Sequence, residues 1–99
     1  GSFTFDGVFG PASDQLYIFD RVAKPLVDAA LGGVNATIMC YGQTGSGKTH
    51  TMSGTRDDPG IAPRVIAHIF RRIEEAADTM EFTLRVSYLE IYMEVSARA

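Results

Sequence analysis

Apolar residues recur along this chain at several distinct spacings, and each spacing predicts an element. Phe3-Thr4-Phe5 alternates apolar and polar, which suits a short strand. Asp6-Gly7 and Gly10-Pro11 read as turns. From Leu16 the period lengthens. Leu16, Phe19, Val22, Ala23, Leu26, Val27 and Ala30 share one helical face, with Ser13 or Asp14 able to cap the start and Gly32-Gly33 able to end it. Pro25 sits inside that pattern. An interior proline lacks an amide donor and costs roughly 3 kcal/mol or more, so a kink or break is expected near Lys24, with Pro25 starting a second helical piece.

Ala36 to Tyr41 is mostly apolar without alternation, as in a strand buried on both faces. A glycine-rich stretch follows, and a helix is expected to begin within it and run to about Met52. Ser53 to Ile61 is polar, holds Gly54, Pro59 and Gly60, and reads as a loop. Pro63 suits a first helical position. Val65, Ile66, Ile69, Phe70, Ile73 and Ala77 then give an amphipathic helix with Arg71, Arg72, Glu74 and Glu75 toward solvent. Phe82, Leu84, Val86 and Tyr88 alternate with polar residues, and Leu89, Ile91 and Met93 continue the apolar series after a phase slip. That is a strand with a bulge, or one that becomes buried on both sides. The order is α/β, and Ala36 to Met93 has the length of a parallel strand–helix–strand crossover.

Gly42-Gln43-Thr44-Gly45-Ser46-Gly47-Lys48-Thr49 matches G-x-x-x-x-G-K-[S/T] in full. The chemistry needs those residues there. Glycines let the backbone take positive φ and approach a ligand closely. Successive amide N–H groups form a concave anion site, strengthened by the positive end of the helix that follows. The lysine reaches the β and γ phosphates and the threonine hydroxyl coordinates Mg²⁺. The four fixed positions arise by chance in roughly one chain of this length in several hundred, and a strand before the loop with a helix after it sharpens the signal. The bland reading is a glycine-rich turn that binds nothing, with Lys48 an ordinary surface lysine.

Composition narrows the class. The chain has 99 residues, 45% hydrophobic and 21% charged, enough for one small domain and a core. A net charge of −3 speaks against a basic nucleic-acid binder. The apolar runs are short of the about 20 residues a membrane span needs. Cys40, alone, excludes an internal disulfide and fits a reducing compartment. Gly1-Ser2 opens the chain without a methionine, as a cloning remnant or an excised boundary would, and either reading leaves room for a biological start upstream.

The stretch Tyr41-Gly42-Gln43-Thr44-Gly45-Ser46-Gly47-Lys48-Thr49-His50-Thr51-Met52 closely resembles the phosphate loop of kinesin motor domains. The flanks agree. Phe3 to Phe9 is similar to the family's early strand segment, Gly33 to Ile38 to its lead-in to the loop, Gly60 to Arg64 to the restart of its second helix after an insertion, and Ser87 to Glu94 to the strand that follows. The resemblance runs from Phe3 to about Glu94. It implies an incomplete P-loop NTPase sheet of the kinesin motor type with flanking helices, a partial motor domain over residues 1–99 whose tail 95–99 diverges. It further implies the nucleotide-binding part of an ATP-hydrolysing, microtubule-based motor of the cytoplasm and cytoskeleton. ATP or ADP and Mg²⁺ are the implied cofactors. Gly42, Gln43, Thr44, Gly45, Ser46 and Gly47 would wrap the phosphates, Lys48 and Thr49 would hold phosphates and metal, and His50 would lie against the adenine; a His merely filling space beside the helix start is an equal alternative.

Family members sense the γ phosphate with N-x-x-S-S-R and D-x-x-G segments and flank the adenine with R-x-R-P. The resemblance finds none of these here, nor the elements that grip tubulin, so hydrolysis is not expected of these residues alone. In the family's sheet the strand before the phosphate loop and the strand at Phe82 to Met93 are not neighbours. A gap in the sheet is costly, so the isolated chain is expected to be marginal, re-paired or associated with another chain, itself included.

The remaining residues read plainly. Glu90 is expected to pair with a cation elsewhere; the alternative is a Mg²⁺-organising carboxylate in another loop NTPase or small kinase. A third reading is a truncated, catalytically inactive kinesin-like product. Cys40 is expected to pack as a small buried residue, His68 to be solvated on the charged helix face, and Arg71, Arg72, Glu74 and Glu75 to form weak surface ion pairs.

Overall fold

Pro25 decides the course of the first long helix. In the computed structural model, which describes residues 2–43, 45–78, 81–92 and 95–98, α1 (Gln15–Ile18) passes through a π-helical turn (Phe19–Ala23) into α2 (Lys24–Leu31). The Lys24 amide donates to the Phe19 carbonyl, five residues back. A proline ring crowds the carbonyl four residues before it and offers no amide. The widened turn absorbs both effects just ahead of Pro25, so the helix neither breaks nor ends. Asp14 is the cap, accepting from the Tyr17 amide at 2.8 Å. At the far end Gly33 takes φ +104, with Val34 N donating to Ala29 O and Gly33 N to Ala30 O. This is a Schellman ending.

Two more helices follow, α3 (Lys48–Met52) and α4 (Ile61–Ala76). α4 starts two residues before Pro63, which therefore sits third in the helix. The first four helical amides have no intrahelical acceptor, so a proline is tolerated there as well.

The core lies along the seam where the π turn and α2 meet α4. Phe19, Ala23, Val27 and Ile61 are buried, and Ile18, Ile38, Met52 and Val65 pack against the cluster. Ala23 is 0% exposed. Its methyl is the smallest side chain of the seam, and it lets the backbones approach. The buried face of α4 is rotated from the expected one. Ile66 and Phe70 stay more than half exposed, while His68 is only 4% exposed.

His68 thus departs from the solvated role expected of it. Its Nε2 donates to Asp28 Oδ1 at 2.8 Å, and Arg71 Nη2 donates to its Nδ1, also at 2.8 Å. A guanidinium can only donate, so Nδ1 must be the acceptor and the proton resides on Nε2. Arg72 Nη1 joins the same Asp28 oxygen at 2.7 Å, and only the longer Arg72–Glu75 contact, at 3.7 Å, resembles the expected surface pairing. Phe19 meets the His68 ring edge-on, centroids 6.0 Å apart. The cluster fastens the second half of α4 to α2.

The expected sheet does not form among the described residues. Segments 3–5, 36–41 and 82–88 have no ladder partners, and the parallel crossover is absent. The one sheet is an antiparallel hairpin of β1 (Leu89–Tyr92) and β2 (Val95–Arg98), with Leu89 opposite Arg98 and Tyr92 opposite Val95; the Met93 end of the expected strand lies outside the described residues. The physical reason is the lack of a neighbour. A strand needs another strand at its edge, and local pairing with the tail costs less loop-closure entropy than a distant crossover. Ala36 to Tyr41 is accordingly not buried. Met39 is 79% and Tyr41 96% exposed, and Cys40 is half-buried. The Cα radius of gyration is 15.8 Å, against about 13 Å for a compact domain of this length.

Asp28 generates a pH prediction. The hydrogen bond from His68, together with the positive charges of Arg72 and Lys24, holds its carboxyl below the ordinary carboxylate value, although burial pulls the other way. A depressed folded-state value stabilises the fold above the unfolded value of about 4, and that contribution is lost as pH falls through the folded value. Asp28→Asn should lower the melting temperature at neutral pH and flatten the acid limb of a melting-temperature profile. An acid limb as steep as that of the unsubstituted chain would contradict this account.

Candidate functional site

The glycine stretch turns the chain from the extended segment 36–41 into α3. Ser46 N donates to Gln43 O at 3.1 Å and Thr51 N to Gly47 O at 3.0 Å. Gly45 and Gly47 take φ of +82 and +101, a region costly for residues with a Cβ. The loop curls until Gly42 faces its other limb. A Cβ on Gly42 would stand 2.5 Å from Ser46 Oγ and 3.6 Å from Lys48 Cγ. Thr44 lies outside the described residues.

The curl leaves an open cavity of about 370 Å³ lined by Gly45, Gly47, Lys48, Thr49 and His50. The structure therefore gathers five of the sequence-predicted residues around one space, while Gly42, Gln43 and Ser46 are joined to one another within the loop by the contacts above. Lys48, Thr49 and His50 are exposed, and among the described residues no carboxylate lies within ion-pair distance of Lys48. A concave backbone kept clear of side chains, an unneutralised ammonium and a hydroxyl at the first turn of a helix form a donor set suited to an oxyanion, with an oxygen ligand for a cation beside it.

The floor of the site is fixed from two sides. Gln15, 5% exposed, donates from Nε2 to the His50 carbonyl at 2.6 Å. On the other side the loop 53–60 folds back on itself. Gly54 bridges Pro59, Gly60 N donates to Ser53 O at 3.0 Å, and Arg64 binds the Pro59 carbonyl at 2.9 Å and Asp58 at 3.7 Å. Gly60 sits so close to the Thr51 and Met52 backbone that a Cβ there would fall 2.6 Å from Thr51 O.

A kinesin motor-domain family model matches residues 1–97. The chain belongs to the kinesin motor-domain family. It is 53% identical over 98 residues to the kinesin heavy chain of Botryotinia fuckeliana, covering 95% of this chain and 11% of that protein. It is 54% identical over 94 residues to the chloroplastic kinesin-like protein KIN-7M of Arabidopsis thaliana, covering 95% and 9%. The chain thus spans about a tenth of the length of these kinesins. Among solved structures it is similar to the Drosophila kinesin family member Kin10/NOD in complex with divalent manganese and ADP. The TM-score is 0.85 at 32% identity, over 97% of this chain and 36% of that one. It is also similar to a KIF14 dimer with AMP-PNP in complex with a microtubule, with TM-score 0.65 at 39% identity, over 68% and 18%. These structural neighbours are kinesin motor domains, in keeping with a P-loop NTPase-like fold.

Three residues or segments outside the cavity complete the picture. Glu90 is exposed on β1 opposite Ala97, away from the residues that line the cavity. The letters D-x-x-G do occur, at Asp57-Asp58-Pro59-Gly60, but in the short loop that closes α3 onto α4, where Asp58 engages Arg64. Gln15 went unread, because a single polar residue at a helix start gives no sign that it will be buried. No helix among the described residues is long and apolar enough to cross a membrane.

The loop geometry separates two glycine substitutions. Gly47→Ala places an L side chain at φ +101 and should destabilise the chain by about 1–3 kcal/mol. Gly42→Ala meets mainly the rotatable Ser46 hydroxyl, so Ser46→Ala should relieve much of its effect. Denaturant melts of the single and double variants test this, and simple additivity of Gly42→Ala with Ser46→Ala would contradict the close approach.

Proposed function

We propose that this chain is the nucleotide-binding part of a microtubule-based kinesin motor ATPase, taking ATP or ADP with Mg²⁺. The observation that carries the reading is the cavity of Gly45, Gly47, Lys48, Thr49 and His50. The amides of Gly42, Gln43 and Gly45 to Gly47 would hold the phosphates, Lys48 would neutralise their β and γ groups, and the Thr49 hydroxyl would ligate the metal. His50 offers its ring to the base. The divalent ion withdraws charge from the phosphates when bound. The Kin10/NOD neighbour with manganese and ADP supports a nucleotide and a divalent cation, and the KIF14 neighbour on a microtubule supports the filament as partner.

Within these residues the role is ground-state binding. N-x-x-S-S-R is absent from the sequence, and no carboxylate among the described residues lines the cavity to orient water. In the complete motor, segments 36–41 and 82–88 become sheet strands, which accounts for apolar side chains such as Met39 and Val86 left in solvent here. The whole protein acts on the cytoskeleton in the cytoplasm.

A ligand that binds only the folded form at about 100 times its dissociation constant adds roughly 2.7 kcal/mol. MgADP should therefore raise the melting temperature of the chain clearly, and Lys48→Ala should remove most of that rise. A folded chain whose melting ignores millimolar MgADP would refute the assignment.

A further inference from the structure

α3 is a helix of five residues, too short to hold its own direction, yet it carries Lys48, Thr49 and His50. Its C-terminal end is irregular. Ser53 N and Gly54 N both donate to the Thr49 carbonyl, at 2.8 and 3.0 Å. Among the described residues no backbone amide is left for the His50 carbonyl, which a regular helix would pair with Gly54. The donor comes from far away in sequence. Gln15 Nε2 lies 2.6 Å from that oxygen, its side chain almost wholly buried. Gln15 opens α1, whose start is fixed by the Asp14 cap and whose continuation, the π turn and α2, forms the core seam with α4.

We propose that Gln15 is a positioning residue of the nucleotide site. Its amide completes the end of α3 and sets the direction in which the Lys48 ammonium, the Thr49 hydroxyl and the His50 ring project into the cavity. The inference rests on the nucleotide-binding reading above. Deprived of its one donor among the described residues, this part-buried carbonyl seeks another partner, and the nearest adjustment is rotation of the single turn that holds the three ligand-facing residues.

The experiment compares the unsubstituted 99-residue chain with Gln15→Met, which keeps length and removes the donor, and with Gln15→Asn, which keeps the amide and shortens its reach. Val27→Ala, a core change away from α3, controls for lowered stability alone. MgADP affinity is measured by calorimetry at a temperature where each chain is folded. The dissociation constant should rise about tenfold in both Gln15 variants and stay unchanged in Val27→Ala. The assigned side-chain amide resonances of Gln15 should also shift when MgADP binds the unsubstituted chain.

Gln15 variants that melt lower but bind MgADP as tightly as before would make Gln15 merely structural and overturn the inference while leaving the nucleotide reading intact. A Gln15→Asn chain with unchanged affinity would overturn it in the same way. Should the variants fail to fold, the resonances decide, and a Gln15 amide indifferent to MgADP overturns the proposal. No binding by the folded unsubstituted chain defeats the nucleotide reading and this inference with it.

Discussion

The helices of this chain are fastened to one seam, the line along which the helix from Gln15 to Leu31 meets α4 and the short α3. Its middle is apolar, with Phe19, Ala23 and Ile61 buried together. Its two ends are polar. At one, Gln15 grips the His50 carbonyl; at the other, Asp28 binds His68 and Arg72. The apolar contacts supply the driving force, at roughly 25 cal/mol per Å² removed from water. The polar ends supply register, because a buried donor or acceptor left unpaired costs more than a made bond returns. The π turn belongs to the same device. It accommodates Pro25 while keeping Phe19 and Ala23 on the face that meets α4.

What could be read from the sequence was local. The glycine loop, the disturbance at Pro25, the helix end at Gly32-Gly33 and the loop before α4 each depend on residues within a few positions of one another. What could not be read depended on distant partners. His68 falls on the charged side of its helix by periodicity, and only Asp28, forty residues earlier, draws it inside. Gln15 is buried by a carbonyl thirty-five residues later. The strands failed for the same reason on a larger scale. An alternating or wholly apolar run states a readiness to pair, and the pairing itself requires a neighbour the chain must bring alongside.

An unfilled apolar cavity follows from that. Leu26, Val27, Ala30 and Leu31 of the long helix, with Val65 and Ile69 of α4 and Ile38, Ala36 and Leu84 of the extended segments, leave a cavity of about 300 Å³ between them. The tail at Val95 to Arg98 pairs with Leu89 to Tyr92. A lone two-stranded hairpin is marginal in water, so this pairing satisfies backbone groups without building a second core.

The phosphate loop stands at the border between these two regimes, and its hydrogen bonds explain how its curl survives there. Gln43 to Ser46 and Gly47 to Thr51 are contacts within the loop and its helix, independent of any sheet. The limb that leads into α3 is further tied to the seam through Gln15 and Gly60. The limb that enters the loop comes from Tyr41, 96% exposed, and has no such tie. The loop is thus organised from its helical side. Lys48, Thr49 and His50 inherit the order of the core, whereas Gly42 and Gln43 depend on the local curl.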